Sequence, residues 1–158
     1  SLIYDKNQDS LVKSNKKFKK EGALVFRSTS INNKDLLIDS GFYPAEDTHI
    51  WSRKESHFLI QNRNQQIDFV LHGLIPMTQV SIHFNNKMFE LTLDPTETFS
   101  IDLKGIDSNW VLIQFSANKS GKPSKIISDS KDDRDLSFSI EVYDNAVTEK
   151  QAESLPNS

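Results

Sequence analysis

Two short stretches hold most of the side chains that could do chemistry. Residues 41–52 (GFYPAEDTHIWS) set Tyr43, His49 and Trp51 around Glu46 and Asp47, and residues 133–136 (DRDL) place Arg134 between two aspartates. A planar guanidinium can hold a carboxylate through two parallel charge-assisted hydrogen bonds. Glu46 and Arg134 are therefore expected to approach each other as a structural clasp that ties the first stretch to the last strand. Sugars present apolar C–H faces that stack on aromatic rings flanked by polar groups. That makes Tyr43, His49 and Trp51 the first candidates for a ligand-binding platform. Large aromatics are mostly buried, so a core position is the preferred reading for Trp51, and more so for Trp110, which opens the apolar run WVLIQFS.

The remaining candidates carry less. His49, His57, His72 and His83 are not spaced as metal ligands, whereas zinc needs three or four that converge. Asp129, Asp132, Asp133 and Asp135 bring several oxygens into a short span, as a calcium loop does. They lack the EF-hand spacing and its glycine, and Lys131 and Arg134 offset part of the charge, so a solvated loop is preferred over this weak calcium candidate. With no cysteine, disulfides, thiolate nucleophiles and Cys-based zinc sites are absent. No G-x-S-x-G elbow or phosphate-cradling glycine loop occurs, and Gly121 lies in a loop beside Lys122 and Pro123. Among 22 acidic residues, any two could meet in a cleft as a glycosidase pair, but their separation belongs to the fold. No cofactor is expected.

These residues need elements to position them. From Ala23 the pattern is β: residues 23–28 and 35–39 are short apolar runs, separated by a turn at Asn32-Asn33. Residues 56–61, 66–71, 79–84, 87–93, 98–103, 110–116 and 136–143 follow at short intervals. Ile67, Phe69 and Leu71 alternate with Asp68 and Val70, and Phe89, Leu91 and Leu93 with Glu90 and Thr92. That period of two marks half-buried antiparallel strands. Asn85-Asn86 between two such runs suits a tight hairpin. The gaps are too short for crossover helices. The expected fold is all-β, an antiparallel, jelly-roll-like β-sandwich of about eight to ten short strands over residues 23–144.

The ends differ. Residues 1–22 read as a basic linker or N-terminal extension, with Lys13, Lys16, Lys17, Lys19 and Lys20 close together. Such runs are usually just solvated; the sharper reading is a surface for anionic lipid or wall polymer. Residues 145–158 form a polar tail. A net charge of −3 and a pI near 5.8 argue against nucleic acid as a partner. The mean hydropathy of −0.53 fits a water-exposed domain, and no stretch approaches the roughly 20 apolar residues of a membrane-spanning helix. The N-terminus has no apolar signal-peptide core. The missing initiator Met points to an excised piece of a longer protein.

Taken together, Gly41-Phe42-Tyr43-Pro44-Ala45-Glu46, Trp51-Ser52, Pro123-Ser124 and Asp132-Asp133-Arg134-Asp135-Leu136 resemble a β-sandwich accessory domain of bacterial cell-envelope enzymes. These are membrane phosphoglycerol transferases and glycosyltransferases, and the likeness covers about residues 36–144. Ser137 stands where that family usually has Gly, and Arg53-Lys54 follow the Trp-Ser pair where a small loop residue is common. The resemblance implies a carbohydrate-binding-module-like sandwich without catalysis of its own, attached to an enzyme of envelope polysaccharide. Its partners would be glycan and the parent enzyme, at the cell envelope and preferably on the extracytoplasmic side. The alternatives are a protein-interaction module that docks on its parent without binding sugar and, least favoured, a small glycoside hydrolase.

Overall fold

The computed structural model describes residues 1–13 and 24–144. Two antiparallel sheets make up almost all of it. The larger runs from edge to edge as β2 (Ser10–Lys13), β1 (Leu2–Asp5), β3 (Val25–Ile31), β4 (Lys34–Ile38), β6 (Glu55–Gln61), β11 (Trp110–Ala117), β8 (Thr78–Phe84) and β9 (Lys87–Leu93). The smaller runs as β10 (Thr96–Asp102), β7 (Gln66–Gly73), β12 (Phe138–Asp144) and β5 (Ile50–Ser52). A short helix, α1 (Pro123–Ile126), precedes the last strand. The β-sandwich expected from the alternation is the fold observed.

Alternation decides which side chains meet between the sheets. Phe58 and Phe115 from the larger sheet, and Phe69 and Phe138 from the smaller, are fully buried. Phe58 stacks on Phe42 at 4.5 Å between centroids, and Phe115 meets Phe58 edge-on at 5.5 Å. Each such ring contributes roughly 1.5–3 kcal/mol through burial. Both Asn-Asn turns behave as their composition requires. Asn32 and Asn33 have φ of 51° and 62°, and Asn85 and Asn86 have 49° and 60°, the left-handed values of a two-residue hairpin.

The N-terminus departs from expectation. Residues 1–13, expected from the sequence to lie in a basic linker or N-terminal extension, form the hairpin β1–β2 at the edge of the larger sheet, paired from Leu2↔Lys13 to Asp5↔Ser10. Its turn is set by Asp5, whose Oδ1 accepts the backbone N–H of Asn7 at 3.0 Å and of Gln8 at 3.3 Å. The sheet curls so that Leu2, Tyr4 and Leu11 fold over its outward face. There they cover a second apolar cluster with Phe26, Leu37 and Leu59, flanked by Trp110 and Leu112. Lys16, Lys17, Lys19 and Lys20, and the polar tail, lie outside the described residues. Among the described residues, no helix is long and apolar enough to cross a membrane.

Candidate functional site

The two sequence stretches do meet, but through different atoms than expected. Glu46 Oε2 lies 3.7 Å from Arg134 Nη2, an ion pair without the two parallel hydrogen bonds. The bidentate partner is Asp132: Arg134 Nε donates to its Oδ1 at 3.0 Å, and Nη2 to its Oδ2 at 2.8 Å. These bonds hold the Asp132 carboxyl below the usual carboxylate range. The tie across the fold is Tyr43. Its hydroxyl donates to the Asp135 carbonyl at 3.0 Å and accepts the Asp135 N–H at 3.2 Å. Arg53 lies 4.6 Å and Arg134 5.3 Å from the Tyr43 ring centroid, so the phenol belongs to the clasp in both its hydroxyl and its ring.

Neighbouring residues extend the same network. Ser124 donates its hydroxyl to Asp133 at 2.5 Å and its N–H to the Asp132 carbonyl at 2.8 Å. Buried Ser137 donates its hydroxyl to the Lys119 carbonyl at 2.6 Å. Gly41 is required by close approach, because a Cβ there would stand 2.1 Å from the Glu55 carbonyl oxygen. Asp39 fixes the entry to this stretch. Its Oδ1 accepts the N–H of Gly41 and of His57, both at 3.0 Å, and its Oδ2 lies 2.6 Å from His57 Nδ1.

The aspartates of the calcium candidate point to separate partners. Asp132 holds Arg134, Asp133 accepts from Ser124, Asp135 accepts from Ser120 at 3.1 Å, and Asp129 occupies a turn with φ of 68°. No group of three His, Asp or Glu among the described residues could hold a metal ion.

His49 and Trp51 meet edge to face, with centroids 6.3 Å apart. Ile50 and Ser52 point into the core, so Trp51 faces outward from the smaller sheet and is only half-buried. It pairs with Ser139, which in turn pairs with His72. A shallow hollow of about 260 Å³ lies beside this row, lined by His49, His72, Ser139 and Glu141 among others.

A larger feature went unread in the sequence. On the outward face of the larger sheet lies an open trough of about 680 Å³. Trp110, Leu112 and Gln114 of β11 form its floor. Tyr4, Lys6 and Asp9 of the β1–β2 hairpin form one wall, and His83 with the turn to β9, including Lys87, forms the other. Trp110 is thus not a residue of the central core. It sits one register step from Val111, so the core-facing alternation sends it to the opposite face.

The trough is built rigidly. Asp9 (φ 51°) accepts the backbone N–H of Trp110 at 3.0 Å, that of Asn109, and the Tyr4 hydroxyl at 3.0 Å. Burial, and then the bond to Asp9, push the Tyr4 phenol up to about 12, so it stays a neutral donor. Asn62 pins the end of the trough by donating to the carbonyls of Ile106 at 2.8 Å and Ser108 at 2.9 Å. Lys6, His83, Lys87 and Gln114 have no side-chain partner among the described residues. Fixed walls, a part-apolar floor and uncommitted polar groups are the parts of a site for a polar ligand with apolar faces.

No protein-family model matches the chain, and no curated protein does. Among solved structures, it is similar to the CBM51-2 and INT domains of ZmpB from Clostridium perfringens, at 10% identity over 85% of this chain and 33% of that one, with a TM-score of 0.35. It is also similar to CBM28, a carbohydrate-binding module specific for non-crystalline cellulose, at 12% identity over 74% of this chain and 76% of that one, with a TM-score of 0.29. The chain spans about a third of the first of these. Likeness at this level bears on neither ligand nor site.

Proposed function

We propose that this domain binds glycan without catalysing a reaction on it. The observation that carries the reading is the trough, where Trp110 and Tyr4 stand among polar side chains that the fold leaves uncommitted. A pyranose ring needs that combination, an aromatic surface for its C–H face and donors or acceptors for its hydroxyls. The trough does not assemble a catalytic carboxylate pair. Of the two carboxylates lining the trough, Asp9 already accepts three hydrogen bonds within the fold. Asp107 has no second free carboxylate beside it there to complete a glycosidase pair.

In this reading the domain belongs to a larger bacterial envelope-polysaccharide enzyme on the extracytoplasmic side. It raises the local concentration of glycan for a tethered catalytic unit. The resemblance of residues 36–144 supports that context. Lys13, Lys16, Lys17, Lys19 and Lys20 add attraction to anionic lipid or wall polymer, and their replacement should abolish sedimentation with anionic vesicles. The test of the central reading is a glycan array probed with the wild-type chain and with Trp110→Ala. Binding to at least one glycan class that is lost in the variant supports it; no binding across the array overturns it. A second reading seats the sugar on the smaller sheet, where His49 and Trp51 meet beside the shallow hollow. There, Trp51→Ala rather than Trp110→Ala would remove the signal.

A further inference from the structure

We infer that the trough takes an anionic glycan, one whose carboxylate or phosphate is held by Lys6 and Lys87. This rests on the glycan reading above and goes further by naming the charge of the ligand. The two ammonium groups come from opposite walls, Lys6 from the turn between β1 and β2 and Lys87 from the start of β9. Neither has an ionic or hydrogen-bond partner among the described residues. Of the two carboxylates lining the trough, Asp9 does not compete for them, because it is engaged by the N–H groups of Asn109 and Trp110 and by the Tyr4 hydroxyl. That leaves Asp107 as the one uncommitted carboxylate among the lining residues, against two ammoniums.

Gln114 and His83 supply further uncommitted hydrogen-bonding atoms between the walls. Gln114 and His83 are paired across β11 and β8, so they form one row on the floor and the adjoining wall. An acidic sugar lying along that row would meet donors from several directions, while its ring face rests toward Trp110. The domain as a whole is acidic, with a net charge of −3, so long-range attraction does not drive the selectivity. Local charge-assisted hydrogen bonds do, and these are about twice as strong as neutral ones.

The experiment is calorimetric titration of the full chain with three probes of one backbone: cellotetraose, its C6-oxidised tetrauronate, and cellotetraose phosphorylated at C6. It is run at low salt and again near 0.15 M, where screening length falls to about 8 Å. The expected result is that at least one anionic probe binds about tenfold tighter than the neutral one at low salt, with the advantage shrinking as salt rises. Which anionic probe wins identifies the source of the charge. In the double variant Lys6→Gln/Lys87→Gln, the ratio of anionic to neutral affinity should fall to about one. Both lysines are exposed, so the thermal midpoint of that variant should match wild type and confirm that the fold is intact. Equal or tighter binding of the neutral probe overturns the anionic inference and leaves the glycan reading standing. If an anionic advantage survives the double variant, the lysine assignment is wrong. No binding of any probe overturns the anionic inference, and a blank glycan array beside it overturns the glycan reading as well.

Discussion

Replacing Asp9 with Ala should loosen the whole N-terminal hairpin from the domain. Its carboxylate accepts the N–H groups of Asn109 and Trp110 and the Tyr4 hydroxyl, and so joins residues about a hundred positions apart. Hydrogen bonds to a charged group contribute about 1.5–3 kcal/mol each when buried. Asp9 is half-exposed, so water replaces part of what is lost, and a net cost of about 2–3 kcal/mol follows. Asp9→Asn, which keeps one acceptor oxygen and loses the charge, should cost about half as much. Urea denaturation reads this as a lower midpoint with an unchanged slope.

Amide exchange should show where the loss falls. Protection drops at residues 2–13 and at Trp110, and is kept in the central strands. Tyr4 supplies an independent check. Its phenol is raised from 10.0 to about 12, by burial first and the Asp9 bond second. Below pH 10 both folded and unfolded chains keep that proton. Between pH 10 and 12 the unfolded chain releases it while the folded chain does not, so stability falls as pH rises through that window. In Asp9→Ala that fall should be smaller, because the bond to Asp9 and its charge are gone while burial and the charge of Asp5 are the causes left. Unchanged stability with unchanged exchange at residues 2–13 would show that Asp9 does not hold the hairpin in place.

Other expectations follow from the clasp. Tyr43→Phe removes both hydrogen bonds to Asp135 and should cost about 1–2 kcal/mol by denaturation. Glu46→Ala should cost under about 0.5 kcal/mol in the same assay, because its ion pair is long and half-exposed. Gly41→Ala drives a methyl group into the β6 backbone and should cost about 3 kcal/mol or more, read as a large drop in thermal midpoint. Millimolar calcium should leave the midpoint unmoved, since the aspartates at 132, 133 and 135 each serve a different protein partner.

The sheets were legible because alternation is a local property. Ile67, Phe69 and Leu71 declare their inward face without reference to the rest of the chain, and all three are buried; of Phe89, Leu91 and Leu93 on the edge strand β9, only Leu93 is buried. The Asn-Asn turns were legible for the same reason. The clasp was legible in its members and not in its bonds. Arg134 was matched to distant Glu46, while Asp132 two residues away competes for the same guanidinium, and only the loop geometry decides between them. The trough was missed for two different causes. The lysine-rich stretch after Lys13 drew residues 1–13 into a linker, although LIYD and SLVK flank a turn rich in Asp and Asn, which is itself a hairpin signal. Trp110 was read as core from the apolarity of its run, although strict alternation with Val111, Ile113 and Phe115 already placed it on the other face with Gln114. That Tyr4 and Asp9 would meet Trp110 depends on how far the larger sheet curls, which no local pattern encodes.

The central claim is that glycan binds at the trough floored by Trp110. The most direct measurement is a ¹H–¹⁵N NMR titration of the labelled chain with a glycan selected from the array. The Trp110 indole, the Gln114 side-chain amide and the backbone amides of Asn109 and His83 should shift together along one binding curve, while the Trp51 indole stays in place. Shifts confined to Trp51 and its neighbours on the smaller sheet, with Trp110 silent, would contradict it.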